Sequence, residues 1–544
     1  MAVGDSASLY QTRRWSPTDS LCVAGLALIA FAMRLAFLHM PPANDEIFHL
    51  MAGRSLLEHG TYAIGPDGSY PRATGFTWLV SRAFAFSGSY SEAVARYPAL
   101  VAGSVLPPVL FLWVRSHAGL AAGLLAGLMA AAWPDSIVQS QNARFYTCHA
   151  LIVLLLAIAC LAASGPRSAL SRFLCLAAVP PLLLAAYHLQ DSTLIFVAAL
   201  LAWFGLWTVL PFLARQRAAY QAGAALLAVA GLAMAWKLGI IAHGWALLRS
   251  AEWHALGNRD NVMFYVTWAL DSYPSLVAAF PVLLVLALRD SPRFSFFAAC
   301  LFLASFLLLS LGGMKADRYI MFAIPFFFAV AATGMVAGVR LIWTGYTRLA
   351  SELVGAAGGG LLRRAVPAFC LGTLVFFVAA NPAFKRAAAL AKGSFAPPYQ
   401  SALDWSHAQD FLAANGRDRV LMTTEELRSL YRGVDYDIAF KANRSRETTI
   451  EEFYLDDRFG RRRFATMESF LKIVDCRDSG ELLATAEWWN TGGFATEIVM
   501  ELAARGLAVD LKKQRDLVLL SWNRAPGTPA PAASCGELPD NLRE

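Results

Sequence analysis

The chain has 544 residues, of which 57% are hydrophobic and only 16% are charged. Its apolar residues come in repeated uncharged runs close to the length of about 20 residues that spans a bilayer, which excludes an ordinary soluble protein. The net charge of +7 does not indicate nucleic-acid binding, because the arginines cluster in short loops between the apolar runs, where they act as an orientation signal.

Eleven candidate membrane spans follow from the hydrophobic pattern. They lie near 20–39, 97–114, 119–134, 147–164, 173–189, 192–213, 221–243, 274–288, 295–311, 319–343 and 366–380. The first run is too long for the apolar region of a signal peptide and is not followed by a small-residue cleavage site. We therefore expect it to be retained as a span, with Arg34 either reaching the interface or facing a polar interior.

The loops between these spans fall into two alternating sets, and the first set carries arginine almost alone. Its members are Arg13, Arg14, Arg115, Arg167, Arg172, Arg215, Arg217, Arg289, Arg293, Arg348, Arg363 and Arg364. Cytoplasmic loops of membrane proteins have an excess of lysine and arginine, so this set is predicted to be cytoplasmic. With an odd number of spans, the N-terminus is then cytoplasmic and the C-terminal segment is periplasmic. The composition favours a bacterial inner membrane.

The second set of loops carries ionisable groups of both signs. It comprises the first external loop at 40–96 with its PPANDEIFHL stretch, the segment WPDSIVQSQNARFY, the turn YHLQD, the loop at 244–273 and the segment GGMKADRY. Arginine-only loops are explained by topology, whereas mixed charges gathered at one membrane face indicate a functional site.

After residue 380 the composition changes. Residues 381–544 carry most of the acids and alternate helix-like segments, such as WSHAQDFLAAN, with strand-like segments, such as DLVLLSW. We predict a mainly α, polytopic membrane protein of about 11 transmembrane helices, with residues 1–380 as the membrane domain and 381–544 as a C-terminal periplasmic α/β domain. Cys476 and Cys535 lie in this domain, where an oxidising compartment would permit a disulfide but does not establish one.

Five motifs give the chain a resemblance to a known family. They are NDEIFH, YPRATGFTW, EAVARYPAL, QNARFYTCHALIVLLLA and KADRYIMFAIPFF. With these motifs, residues 15–345 resemble the C-type glycosyltransferases (GT-C), the multi-span enzymes that include protein O-mannosyltransferases and the aminoarabinose transferase of lipid A. The resemblance implies transfer of a sugar from a polyprenyl-phosphate donor to an acceptor hydroxyl on a glycan, lipid or protein.

The chemistry of such a transfer requires few groups. The leaving phosphate is already a stable anion, so one carboxylate suffices as a base for the incoming hydroxyl. Cations and hydrogen-bond donors must hold the phosphate and the charge that it gains. Within the resemblance, Asp45 would be the general base, and Glu46 would position Asp45, bind a divalent metal if one is used, or contact the acceptor.

The remaining motifs would supply the substrate-binding residues. Arg144 and Tyr146 would contact the donor phosphate or sugar, and Lys315, Arg318 and Tyr319 would bind the lipid phosphate. A less regular match adds His188 and Asp191, and the first loop adds His49, Tyr70 and Arg72.

Each assignment has a structural alternative. Asp45 and Glu46 could cap a helix N-terminus, where acids are favoured, and His49 could be a solvated interfacial histidine. Tyr70 and Arg72 could simply order the first loop, and Arg144 and Arg318 could be interfacial anchors.

Two other functional classes compete with a glycosyltransferase. A transporter would carry its ionisable groups near mid-membrane on related halves, and an envelope-glycan ligase or polymerase would centre its function on a large late loop. The crowding of charges at one face and the acid pair in the first loop favour the transferase. The sugar, the acceptor and the need for a metal stay open.

Overall fold

The computed structural model describes most of the chain. The described residues are 15–65, 68–165, 168–239, 261–313, 315–353, 378–394, 403–416, 419–441, 452–456, 458–491 and 495–525, with single positions at 242, 372, 535, 538, 539 and 542. The chain forms two compact units, one of Met1–Leu38 with Arg96–Pro397 and one of His39–Ala95 with Pro398–Glu544. The predicted boundary at 380 marks a change of composition, whereas packing groups the first external loop with the C-terminal segment.

The described part of the first 397 residues is mainly helical. The helices, numbered along the chain, are α1 Pro17–Ala32, α2 Asn44–His59, α3 Thr74–Ser87, α4 Glu92–Ala118, α5 Leu120–Ala131, α6 Pro134–Ser140, α7 Tyr146–Ala163, α8 Ala169–Leu189, α9 Thr193–Phe204, α10 Leu210–Ala214, α11 Ala218–Lys237, α12 Phe264–Ser272, α13 Pro274–Asp290, α14 Pro292–Leu311, α15 Ile324–Leu353 and α16 Pro382–Ala391. A π-helical segment, Gly205–Val209, joins α9 to α10, and Asp317–Ile320 is a 3₁₀ turn.

Six helical segments in the described part of the chain are long and apolar enough to cross a membrane, or eight if two bent pairs each count as one span. The bent pairs are α5 with α6, at 54°, and α12 with α13, at 102°. Two shorter apolar helices coincide with the predicted first and seventh spans. The predicted span at 366–380 lies almost wholly outside the described residues. The polytopic helical fold class is confirmed.

Loops of the arginine-rich set contact one another in the first unit. Ser291 Oγ donates to the His117 carbonyl (2.9 Å), Arg293 Nη2 to Ser164 Oγ (2.9 Å), and Arg340 Nη2 to the Ala118 carbonyl (3.0 Å). Loops of the mixed-charge set do the same: Arg318 bonds Tyr146, and Tyr265 Oη donates to the Ala316 carbonyl (3.0 Å). Because α7 alone runs about 27 Å from Tyr146 to Ala163 at 1.5 Å per residue, these two groups of contacting loops lie at opposite ends of this unit.

In the second unit, α2 packs on α3 and on a C-terminal α/β domain. Its elements are α17 Ala408–Asn415, β1 Val420–Thr423, α18 Glu426–Tyr431, β2 Ile438–Phe440, β3 Tyr454–Asp456, β4 Arg461–Phe464, α19 Met467–Cys476, β5 Ser479–Thr485, α20 Ala486–Thr491, α21 Ala495–Ala504, β6 Leu507–Gln514 and β7 Leu517–Arg524. The predicted helix in WSHAQDFLAAN and the predicted strand in DLVLLSW correspond to α17 and β7, which confirms the α/β pattern.

The seven strands form one sheet in the order β3-β4-β2-β1-β5-β7-β6. Neighbours from β4 to β5 are parallel, with Met422 of β1 paired to Ile438 of β2 and Leu482 of β5. The edges at β3 and at β7–β6 are antiparallel. Apolar side chains such as Phe440, Phe470 and Trp522 fill one core against this sheet. Cys476 and Cys535 form a disulfide with their Cα atoms 5.7 Å apart, so the pairing that the sequence left open is confirmed.

Candidate active site

The acid pair lies in the first turn of α2, in the second unit. Ala43 is extended and precedes the helix, and its backbone N–H donates to Glu46 Oε2 at 2.8 Å. The Glu46 side chain is 1% exposed, whereas Asp45 beside it is exposed. Glu46 thus closes the helix N-terminus in the manner of a capping box, and Asp45 is presented outward where the helix dipole favours a carboxylate.

His49, one turn further along α2, is fully buried. Its Nδ1 lies 2.9 Å from Thr77 Oγ1 of α3, and its ring meets those of Tyr70 and Phe76 edge-on, with centroids 5.2 and 5.0 Å away. The alternative of a solvated interfacial histidine is therefore wrong, because α3 covers the His49 ring. Helical periodicity places His49 on the same side of α2 as Asp45, but it gives no information about which element packs on that side.

Tyr70 and Arg72 belong to the same loop but differ in how far they are exposed. Tyr70 is 8% exposed and stacks on Phe48 of α2, with ring centroids 4.6 Å apart. Its backbone N–H bonds the Tyr62 carbonyl at 2.8 Å, which agrees with the ordering role considered from the sequence. Arg72 is exposed.

The QSQNAR segment of the first unit is buried. Its polar members, all between 0 and 6% exposed, are Gln139, Ser140, Gln141, Asn142 and Arg144. Arg34 of the predicted first span is also fully buried, and it donates to Ser136 Oγ (3.0 Å) and Ser140 Oγ (3.1 Å) of α6. Of the two positions considered from the sequence, the membrane interface and a polar interior, it therefore has the second. Gly103 of α4 permits this approach, since a Cβ there would lie 2.0 Å from Ser140 Oγ.

Three predicted residues from two distant segments, Arg144, Tyr146 and Arg318, meet at the Tyr146 hydroxyl, and Tyr319 lies beside them. Arg318 Nε donates to Tyr146 Oη at 3.1 Å and Arg144 Nη2 at 3.4 Å. The Tyr146 and Tyr319 rings have centroids 6.3 Å apart, and each guanidinium lies 5.2–5.5 Å from a neighbouring aromatic ring. Two planar guanidinium groups at one point provide a set of donors suited to phosphate oxygens.

Lys315, His188 and Asp191 belong to the same unit. Lys315 is 4% exposed and its Nζ donates to the Gly312 carbonyl at the end of α14. His188 is the next-to-last residue of α8, Asp191 stands in the turn before α9, and both are exposed.

Arg96 is a buried arginine of the motif EAVARYPAL, and it was not among the predicted site residues. It is fully buried near the start of α4, and its Nη1 donates to the carbonyl of Leu38 at 2.7 Å. The sequence signal that could have identified Arg96 is a lone arginine inside an apolar helix, because an unpaired charge there is costly in a membrane.

The described residues contain no group of three His, Cys, Asp or Glu side chains that could hold a metal ion. A cleft of about 510 Å³ lies in the C-terminal domain between α17 and the first residues of β1, β2 and β5, lined by Arg419, Asp437 and Glu481 among others. None of the predicted site residues lines it.

The comparisons with known proteins identify the fold. No family model and no curated protein sequence matches the chain. Two solved structures cover nearly all of it at low identity. ArnT from Cupriavidus metallidurans in the apo state has a TM-score of 0.55 at 15% identity, with 92% of this chain and 97% of that chain covered. Archaeal oligosaccharyltransferase AglB from Archaeoglobus fulgidus has a TM-score of 0.58 at 12% identity, with 94% and 74% covered.

Both proteins were also solved with lipid phosphates. ArnT has a structure bound to undecaprenyl phosphate, with a TM-score of 0.53 to this chain, and the AglB structure contains a dolichol-phosphate and an inhibitory peptide. The chain therefore shares the fold of ArnT and AglB, and the resemblance that the motifs indicated is confirmed at the level of the fold.

Proposed function

We propose that this protein is an integral-membrane glycosyltransferase that moves a sugar from a polyprenyl-phosphate donor to an acceptor hydroxyl on the non-cytoplasmic face. The observation that carries the proposal is the meeting of Arg144, Tyr146 and Arg318 at one hydroxyl. These residues come from separate segments of a fold whose solved members hold undecaprenyl phosphate and dolichol-phosphate.

The donor phosphate is assigned to this cluster. Arg144 and Arg318 offer charged N–H donors, and the Tyr146 hydroxyl adds a neutral one. As the bond between the sugar and the phosphate breaks, negative charge grows on the phosphate oxygens, and fixed donors stabilise that charge more strongly than water does. Lys315 and Tyr319 are assigned to the same lipid phosphate, and His188, Asp191 and Arg72 to more distant parts of the substrates.

Asp45 is assigned as the general base. The acceptor oxygen forms a bond to the anomeric carbon, its proton passes to the Asp45 carboxylate, and the electron pair of the broken C–O bond leaves with the phosphate. A single displacement of this kind inverts the anomeric configuration. Asp45 is exposed in the first turn of the helix, while the buried Glu46, whose carboxylate accepts from the Ala43 N–H, is assigned a positioning role. His49 and Tyr70 support the same helix from its buried side.

The test is Asp45→Asn in the purified, reconstituted protein. The assay follows release of undecaprenyl phosphate from a panel of undecaprenyl-phosphate sugars, with membranes of cells lacking this protein as the source of acceptor. Loss of a general base lowers rates by about 10²–10⁴-fold, and we expect a loss of that size with donor binding retained.

Asp510→Asn is the matched control, because this carboxylate is 62% exposed on the edge strand β6. It should leave turnover unchanged. Full activity of Asp45→Asn would overturn the general-base assignment, and absence of any sugar release by the wild-type protein from the whole panel would overturn the proposed reaction.

A further inference from the structure

The helix that carries Asp45 is packed against the C-terminal domain. Within the second unit, Ile47, Phe48 and Ala52 of α2 share one buried cluster with Leu427 of α18 and with Phe459, which follows β3. The Phe48 and Phe459 rings have centroids 5.9 Å apart. Leu427 and Phe459, roughly 400 positions away in sequence, therefore help to fix the first turns of α2.

A buried arginine adds a polar contact at the start of α2. Arg428 is 5% exposed, and its Nη1 lies 3.4 Å from the carbonyl oxygen of Pro42, to which it donates. Its Nε lies 3.6 Å from Glu425 Oε2. Pro42 directly precedes Ala43, whose N–H is held by Glu46. The turn into α2 is thus held by Glu46 from within the helix and by Arg428 from the C-terminal domain.

An ionic chain anchors α18 to the sheet. Asp456 of β3 accepts from Arg458 Nε (3.1 Å) and Nη2 (2.9 Å) and pairs with Arg463 of β4, which in turn pairs with Glu426. Glu426, Arg463 and Asp456 are 4–8% exposed. Glu426 is the first residue of α18, directly before Leu427 and Arg428.

Arg458, at the other end of this ionic chain, also contacts α2. The guanidinium of Arg458 lies 6.0 Å from the centre of the Phe48 ring, and Phe459 belongs to the cluster described above. Buried ion pairs with several hydrogen bonds hold their geometry closely, because breaking one leaves an uncompensated buried charge. The ionic chain therefore ties both elements that contact α2 to β3 and β4.

We propose that the C-terminal domain acts as a clamp on α2 and that Arg428 is a positioning residue for the Asp45 carboxylate. This inference rests on the proposed function, in which Asp45 is the base. A general base must lie within hydrogen-bond reach of the proton that it removes, and a displacement of about 1 Å costs on the order of 10²-fold in rate. Arg428 touches no reacting atom in this scheme and acts through the backbone of residues 42–46.

The test compares Arg428→Met, Arg428→Lys and the control Arg505→Met in the full-length protein. Arg505 has a 25% exposed side chain and pairs with Asp475 and Glu501 away from α2. We expect Arg428→Met to lower kcat by about 10- to 100-fold with the donor KM changed less than about twofold. Arg428→Lys should recover part of the rate, because it keeps a charged donor, and Arg505→Met should match the wild-type protein.

Amide hydrogen exchange tests whether Arg428 holds the start of α2 in place, and it does not depend on catalytic turnover. In Arg428→Met the amides of residues 44–50 should exchange at least about tenfold faster, while those of β7 keep their wild-type rates. Unchanged exchange at 44–50 would overturn the clamp, and equal acceleration in both segments would mean that Arg428 only stabilises the domain. Phe459→Leu provides a second variant if Arg428→Met does not fold, with the same two outcomes.

The two proposals can fail separately. If Asp45→Asn keeps full activity, the proposed base is wrong, but faster exchange at 44–50 in Arg428→Met would still support the clamp. If Asp45→Asn is inactive and Arg428→Met keeps the wild-type kcat and exchange, the clamp is wrong and the base assignment stands.

Discussion

At the scale of single residues, the Tyr146 hydroxyl brings together two arginines to which we assign a phosphate-binding role. Arg144 and Arg318 belong to loops where orientation requires no positive charge, and both donate to one oxygen. An anchoring arginine would extend toward lipid headgroups, whereas Arg144 is 6% exposed.

Arg318→Lys should weaken donor binding, because lysine keeps the charge but loses the planar fork that matches phosphate. We expect the Kd for undecaprenyl phosphate, measured by titration in detergent, to rise about tenfold. Tyr146→Phe removes one hydrogen bond of about 0.5–1.5 kcal/mol and should raise the Kd by a smaller factor. Arg289→Lys, in the other set of loops, is the control. If Arg318→Lys bound like the wild-type protein, the phosphate assignment would be wrong.

At the scale of elements, the C-terminal strands and α18 are held by buried charges as well as by the apolar core. Burial raises the pKa of Asp456, but hydrogen bonds from Arg458 and the charge of Arg463 outweigh this, and the net pKa lies below its usual value of 3.8. Burial raises the pKa of Glu426. The two carboxyls therefore influence stability with opposite dependence on pH.

Asp456→Asn should lower the stability of the C-terminal domain by about 3–5 kcal/mol at pH 7, since it leaves Arg458 and Arg463 without their carboxylate. Because the folded pKa of Asp456 is below 3.8, its stabilisation is complete above that pH and is lost as the pH falls through the folded value. The difference in melting temperature between variant and wild type, followed by tryptophan fluorescence in detergent, should therefore shrink between pH 5 and strongly acidic solution.

Asp510→Asn serves again as the control for that measurement, since its carboxylate is 62% exposed and lies 3.6 Å from Lys512 Nζ. An exposed pair of this kind contributes little, so its melting temperature should follow the wild-type protein at each pH. A gap between Asp456→Asn and wild type that stayed constant into strong acid would contradict the role of the Asp456 charge.

At the scale of the whole molecule, loops of the two sets that contact one another within the first unit lie at its opposite ends. The segregation follows from alternating spans, and the charge bias predicts which end is cytoplasmic. Ser168 lies between α7 and α8 at the arginine-rich end, and Ser394 follows α16. Both are exposed, so each offers a site for a reporter cysteine in the complete protein.

Ser394→Cys should react with a membrane-impermeant maleimide in spheroplasts, because the segment after α16 is predicted to be periplasmic. Ser168→Cys should react only after the membrane is permeabilised, and the wild-type protein, labelled in parallel, gives the background of the native cysteines. The reverse pattern would place the arginine-rich loops outside and would invert the predicted orientation.

The sequence by itself determined the polytopic helical class, the alternation of the loops, the α/β pattern after residue 380 and the resemblance to GT-C enzymes. These features depend on local properties: the length of apolar runs, the period of hydrophobic residues and the charge of short loops. The acid pair at Asp45 and Glu46 and the basic residues near α7 and α15 were visible for the same reason, since ionisable groups are rare beside apolar segments.

Only the tertiary structure decided which of the predicted residues are buried and which of them contact one another. The burial of His49 beneath α3, the meeting of Arg318 with Tyr146 across 172 residues, and the contact of Arg428 with Pro42 across 386 residues all join segments that have no common period. The opposite environments of Asp45 and Glu46, one exposed and one capping the helix, likewise depend on how the chain enters α2. Long-range contacts of this kind arise from packing, which no local pattern of residues encodes.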